Sequence, residues 1–160
     1  MRGKPEPMSL GQEAVVTDQN DDMIYRFKVN SIRLNDSCPN NPLDQYGSLD
    51  PVNGHLIRLT IEEQVGDLFQ SQDELVAEMA DLGQGVNHFN WRFVTEAGTT
   101  TNEISTPITY NCLGPGEELP GDLGPNEQAI GEVILDLPGQ TGTLIYQDPL
   151  TRQSFEWQVK

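Results

Sequence analysis

The chain has 160 residues, one domain's worth, and sets 25 Asp and Glu against nine Lys and Arg for a formal net charge of −16. Nucleic acid and anionic membrane surfaces are excluded as partners, because counterion release needs a basic stripe. No basic residue lies between Arg58 and Arg92, or between Arg92 and Arg152. No window nears the roughly 18 apolar residues of a membrane span.

Residues 1–10, which contain Pro, Glu and Ser and lack an apolar run, read as a tether or remnant, which leaves 11–160 as the folded domain. Gln12 to Thr17 is a short first strand, ended by the polar turn Asp18 to Asp22. Met23 to Leu34 follows as a stronger one. Tyr25, Phe27 and Val29 alternate with Arg26 and Lys28, and then the phase slips so that Ile32 and Leu34 continue the apolar face. A slip of one residue requires a bulge, which falls near Asn30 and Ser31. The next 20 or so residues, Asn35 to Gly54, form a long loop, of a length that is usually functional or pinned.

His55 to Glu62 is a third strand, with Ile57, Leu59 and Ile61 on one face. Ser71 and Glu74 make a capping box for a helix of about three turns. Its Leu75, Met79 and Leu82 repeat at helical spacing and are expected to pack on the core, with Gly83 or Gly85 as the stop. Phe89, Trp91 and Phe93 alternate in one arm of a hairpin that turns at Thr95 to Gly98. Ile108 to Cys112 reads as a strand, and Leu113 to Asn126, with its prolines and glycines, as an irregular connection. After the turn Leu123 to Glu127 come a strand from Ala129 to Leu135 and a closing hairpin, Thr143 to Tyr146 and Ser154 to Val159. The pattern is all-β: an antiparallel β-sandwich of seven to nine strands with one short helix.

Two cysteines bear on the compartment. Cys38 lies among turn formers and Cys112 follows an expected strand, so neither has the apolar flanks of a buried thiol, and a disulfide between them is expected. Such a bridge persists in oxidising surroundings. Chemistry is otherwise sparse. Only His55 and His88 could act as a base for a nucleophilic serine, and no G-x-S-x-G elbow exists. Asp18, Asn20 and Asp22 have the alternating spacing that opens a calcium loop, but the loop's glycine and bidentate glutamate are missing. Trp91 and Trp157 read as core residues. Tyr46, with Asp44 and Asp50 in the same long loop, is therefore the candidate platform for a sugar or other small ligand. No cofactor is expected.

The run Gly131 to Pro138, the corner before Gly142 to Tyr146, and the final hairpin after Leu123 to Glu127 resemble a domain-of-unknown-function family of Gram-positive surface lipoproteins and secreted proteins. The strands at Tyr25 to Leu34 and Leu56 to Ile61 are similar as well. That family shares the immunoglobulin-like fold of a small mycobacterial secreted antigen. The resemblance implies that fold, export, a lipid-modified cysteine upstream of the domain in many members, and no catalysis. It supplies no active residues to carry over, and the segment after Glu62 departs from its pattern.

The expected function is a non-catalytic, monomeric, extracytoplasmic domain, lipid-anchored at the cell surface or secreted. It acts by binding a protein or cell-envelope component through the loops Asn35 to Gly54 and Leu113 to Asn126. A carbohydrate- or calcium-binding module is the alternative.

Overall fold

A computed structural model describes residues 3–38 and 50–160. Two β-sheets face each other in a sandwich. One holds β2 (Glu13–Thr17), β3 (Met23–Arg33), β4 (His55–Val65) and β7 (Gln128–Leu137), in that order. The other runs β1 (Glu6–Pro7), β9 (Ser154–Val159), β8 (Gly142–Gln147), β5 (Trp91–Thr95) and β6 (Thr100–Thr101).

Alternation explains why these strands pair as they do. Ala14 and Val16 on β2, Tyr25, Phe27 and Val29 on β3, and Leu59 and Ile61 on β4 are buried and join one core. The other sheet contributes Trp91, Phe93, Leu144, Tyr146, Phe155 and Trp157. Aromatic rings interlock at the centre, with centroids 5.2 Å apart for Phe27 and Tyr146, 5.0 Å for Trp91 and Tyr146, and 5.7 Å for Trp91 and Trp157. The register of β3 on β4 shifts between Val29 and Ser31, which is the bulge that the phase slip requires.

A smaller cluster of Leu56, Ile108, Cys112 and Ile134 carries the disulfide, whose Cα atoms lie 4.9 Å apart across a sequence separation of 74. Both cysteines are used, as expected.

Four expectations are corrected. Residues 6–8 belong to the fold: Glu6 and Pro7 pair in parallel with Phe155 and Glu156, and the Met8 N–H donates to the Glu156 carbonyl at 2.8 Å. Ile108 to Cys112 is not a strand. Pro107 sits in the first turn of a 3-10 helix, Pro107–Tyr110, where its fixed φ starts a turn that the β-propensity of Ile-Thr-Tyr does not reveal. The helix α1 (Glu74–Glu78) is shorter than three turns and is capped by Asp73, whose carboxylate accepts the Leu75 and Val76 N–H groups. It continues as a 3-10 turn, Met79–Leu82. Its buried face is Val76 and Ala80, while Leu75 and Leu82 are 50% and 74% exposed. Finally, Phe89 precedes β5 rather than lying in it, and is 71% exposed.

The connection from Leu113 to Asn126 straps the free edge of β7. Leu119 N–H donates to the Glu132 carbonyl at 3.0 Å, and Glu132 N–H to the Glu117 carbonyl at 2.8 Å. Gly131 is what permits that approach, because a Cβ there would stand 2.6 Å from the Leu119 Cα. Gly131→Ala is therefore expected to lift the strap, to cost about 2 kcal/mol in a urea titration, and to speed amide exchange at Leu119 and Glu132.

Candidate functional site

The site is built from the core outwards, starting with a buried polar chain. The Tyr25 and Tyr146 hydroxyls are 2.7 Å apart, and Tyr25 donates to Asp148 Oδ1 at 2.6 Å. Burial above all pushes both phenols well above their ordinary range, so they remain hydrogen-bond donors. The other oxygen of Asp148 accepts from Leu150 N–H at 3.1 Å, Thr151 N–H at 2.8 Å and the Thr151 hydroxyl at 3.0 Å. One carboxylate thus fastens the whole β8–β9 turn to the aromatic core. Arg152 follows in a left-handed conformation, φ 66°, with its N–H on the Asp148 carbonyl.

Beside that turn runs a cleft of about 380 Å³ lined by Phe89, Asn90, Trp91, Arg92, Asn102, Gln147, Pro149 and Arg152. Each wall has a local cause. Asn87 Oδ1 accepts the Phe89 N–H at 2.8 Å, an Asx turn that holds Phe89 out of the sheet and delays the strand to Trp91. Asn90 is tied across by its carbonyl, which accepts the Gln147 N–H at 3.0 Å. Gln147 Oε1 accepts from Arg92 Nη1 at 3.1 Å and sets the guanidinium's direction, while Gln147 Nε2 reaches the Arg152 carbonyl at 3.3 Å. Tyr110, 49% exposed, extends the aromatic surface, its ring 6.2 Å from Phe89 and 5.9 Å from His88.

An exposed aromatic face, three side-chain amides and two guanidinium groups line the cleft, and its described lining contains no carboxylate. Asp148 itself points into the core. Asp148→Ala is expected to lower stability by about 2 kcal/mol and to loosen the turn, seen as a lower urea midpoint and faster exchange at Thr151 and Arg152.

Other sequence-derived candidates fall elsewhere. Asp18 is buried, with Oδ1 accepting the Asn20 and Asp22 N–H groups at 2.8 and 3.0 Å and Oδ2 accepting the Ser71 hydroxyl at 2.7 Å. Burial opposes its charge, but these donors outweigh that and hold its carboxyl below the usual value. Asp18 thereby organises a turn, on whose surface Asn20 and Asp22 are exposed. Among the described residues no group of three or more His, Cys, Asp or Glu is placed to hold a metal ion. Asp50 is exposed ahead of the turn that the buried Asp136 holds through the Val52, Asn53 and Gly54 N–H groups. It does not line the Phe89 cleft. Tyr46 and Asp44 lie outside the described residues. His88 Nε2 meets Glu118 Oε1 at 2.7 Å, and Ser105 donates to the His88 carbonyl rather than to its ring. His55 Nδ1 faces the Gln140 amide at 3.4 Å.

The sequence did hold a signal for the cleft. Arg92 and Arg152 are isolated bases in a long acidic stretch, and Asn87 and Asn90 bracket Phe89 with turn formers. Their juxtaposition needs the pairing of β5 with β8, which places Trp91 opposite Tyr146. No family model, no curated protein and no solved structure matches the chain.

Proposed function

We propose that this is a non-catalytic, extracytoplasmic β-sandwich domain that binds a glycan-bearing component of the cell envelope through the Phe89 cleft. The observation that carries the reading is Phe89 itself, a large ring 71% exposed beside a cleft of amides and guanidiniums. Sugar rings present an apolar C–H face and a rim of hydroxyls, which is the complement of such a surface. The Cys38–Cys112 bridge supports an oxidising compartment. Among the described residues no helix is long and apolar enough to cross a membrane. An upstream lipid anchor and the immunoglobulin-like relationship remain part of this proposal.

A glycan array of neutral and acidic oligosaccharides tests it. The intact domain is expected to bind a subset, and Phe89→Ser to lose at least about tenfold in affinity, the order of one lost aromatic stacking contact. Absence of binding to every glycan, or binding indifferent to Phe89→Ser, overturns the reading.

A second reading, contact with another protein, is favoured by one observation. Phe69, Leu75 and Leu82 are 60%, 50% and 74% exposed within the single segment that joins β4 to β5. A photo-crosslinker at position 75 that gives one defined adduct in cells, lost with Phe69→Ser and Leu82→Ser together, supports it. A diffuse ladder of adducts speaks against it.

A further inference from the structure

The charge of the cleft is at odds with the charge of the chain. Acidic residues outnumber basic ones 25 to nine, yet two of those nine bases line this one cleft and no acid joins them in its described lining. Among the described residues Arg152 has no ion pair, whereas Arg26, Arg33 and Arg58 all do. The fold orients the Arg92 guanidinium and fixes the Arg152 backbone. Arg92 is directed by Gln147, and Arg152 rides on the turn that the Tyr25, Tyr146 and Asp148 chain fastens. The long-range field of a net −16 protein repels anions, so placing cations at a single concave point serves an anion that also makes specific short-range contacts.

We infer that the ligand of this cleft is an acidic glycan, in which a carboxylate-bearing sugar residue is read by Arg92 and Arg152 while Phe89 takes an apolar ring face. This deepens the glycan reading and rests on it. The guanidinium plane matches the planar, two-oxygen carboxylate, with parallel N–H donors that an ammonium lacks. A free inorganic anion would use the arginines alone and leave Phe89 without a role. Asn102, the exposed amide of the lining, is placed for a ring hydroxyl of a sugar, which neither a lone carboxylate nor a phosphodiester chain without rings offers.

Calorimetric titration of the intact, oxidised domain separates the possibilities with three probes: an oligogalacturonate tetrasaccharide, its full methyl ester, and a short poly(glycerol phosphate). The expected result is binding of the free acid, at least about tenfold weaker binding of the ester, weaker binding still of the phosphate polymer, and loss of affinity as salt rises. Arg152→Gln, at an exposed position, is expected to cost the acid about tenfold and the ester less than about twofold. Arg92→Lys, which keeps the charge but not the fork, is expected to weaken the acid in the same direction. Arg33→Gln, on β3 in the opposite sheet, serves as the charge control and is expected to leave binding unchanged. Equal affinity for acid and ester overturns the acidic preference but leaves the glycan reading standing. Binding of the phosphate polymer above the acid overturns the choice of carboxylate, and failure of acid and ester alike overturns both readings.

Discussion

Breaking the bridge between Cys38 and Cys112 is expected to lower the unfolding free energy by about 4.5 kcal/mol, the chain-entropy value for a loop of this length. The two residues stand 74 apart in sequence, so the cross-link removes a large closed loop from the freedom of the unfolded chain. The native side adds to the effect, since Cys112 is fully buried against Leu56, Ile108 and Ile134 and fixes the 3-10 turn to the outer face of β4 and β7. Cys38→Ala with Cys112→Ala is the cleaner variant, because serine would bury a hydroxyl at position 112. Urea titrations of the oxidised, reduced and doubly substituted protein give the measurement, read at constant slope. A shift below about 1 kcal/mol would mean that the tie is incidental to the fold.

A second large effect concerns pH. Glu63 occupies an inward position of β4, in line with Leu59, Ile61 and Val65, and is 2% exposed. One carboxylate oxygen accepts the Val86 N–H at 2.9 Å, and the other is buried without a partner. Gly85 makes room for it, since a Cβ there would sit 3.0 Å from Oε2. Desolvation raises its pKa from 4.5 to about 7, against the lowering effect of the Val86 donor. The folded state therefore holds this proton more tightly than the unfolded state, and the stability it contributes is full below pH 4.5. That contribution is lost as pH rises towards 7, by about 3 kcal/mol, and is flat above. The contribution of Asp18, whose pKa is lowered instead, is lost only as pH falls below the ordinary carboxyl value of 3.8, so the two windows do not overlap.

Glu63→Gln keeps the acceptor for Val86 and cannot ionise. It is expected to exceed the parent protein by about 3 kcal/mol at pH 8, with the difference closing towards pH 4.5. Urea midpoints of both proteins across that range check it. A difference that stays constant with pH would show that Glu63 does not titrate in this window.

How far the sequence reached depended on whether a feature was local. The bulge at Val29 and Ser31 was legible because a phase slip in alternation has no other cheap solution, and the closing hairpin because its turn formers flank two runs of β-formers. The parallel pairing of Glu6 with Phe155 was not, since two residues joining the opposite end of the chain leave no periodic trace. Helical spacing of Leu75, Met79 and Leu82 suggested the wrong face. A five-residue helix ending in a 3-10 turn does not keep that spacing on one side, and Val76 and Ala80 are small enough to sit against the core. Phe89 was assigned inwards by alternation with Trp91 and Phe93, but its Asx turn broke the strand one residue before alternation begins. The cleft combines that error with two arginines 60 residues apart in sequence, so only the paired sheet reveals it.

The claim on which the functional account turns is that ligand contact happens at the β8–β9 turn and the Phe89 ledge. Amide and arginine side-chain NMR shifts, followed while the ¹⁵N-labelled domain is titrated with the oligogalacturonate tetrasaccharide, locate that contact residue by residue. The largest saturable changes are expected at Phe89, Asn90, Arg92, Asn102, Gln147 and Arg152, with the Arg152 guanidinium among them. Saturable changes centred instead on residues 68–82 or 18–22, or none across the titration, would contradict the claim.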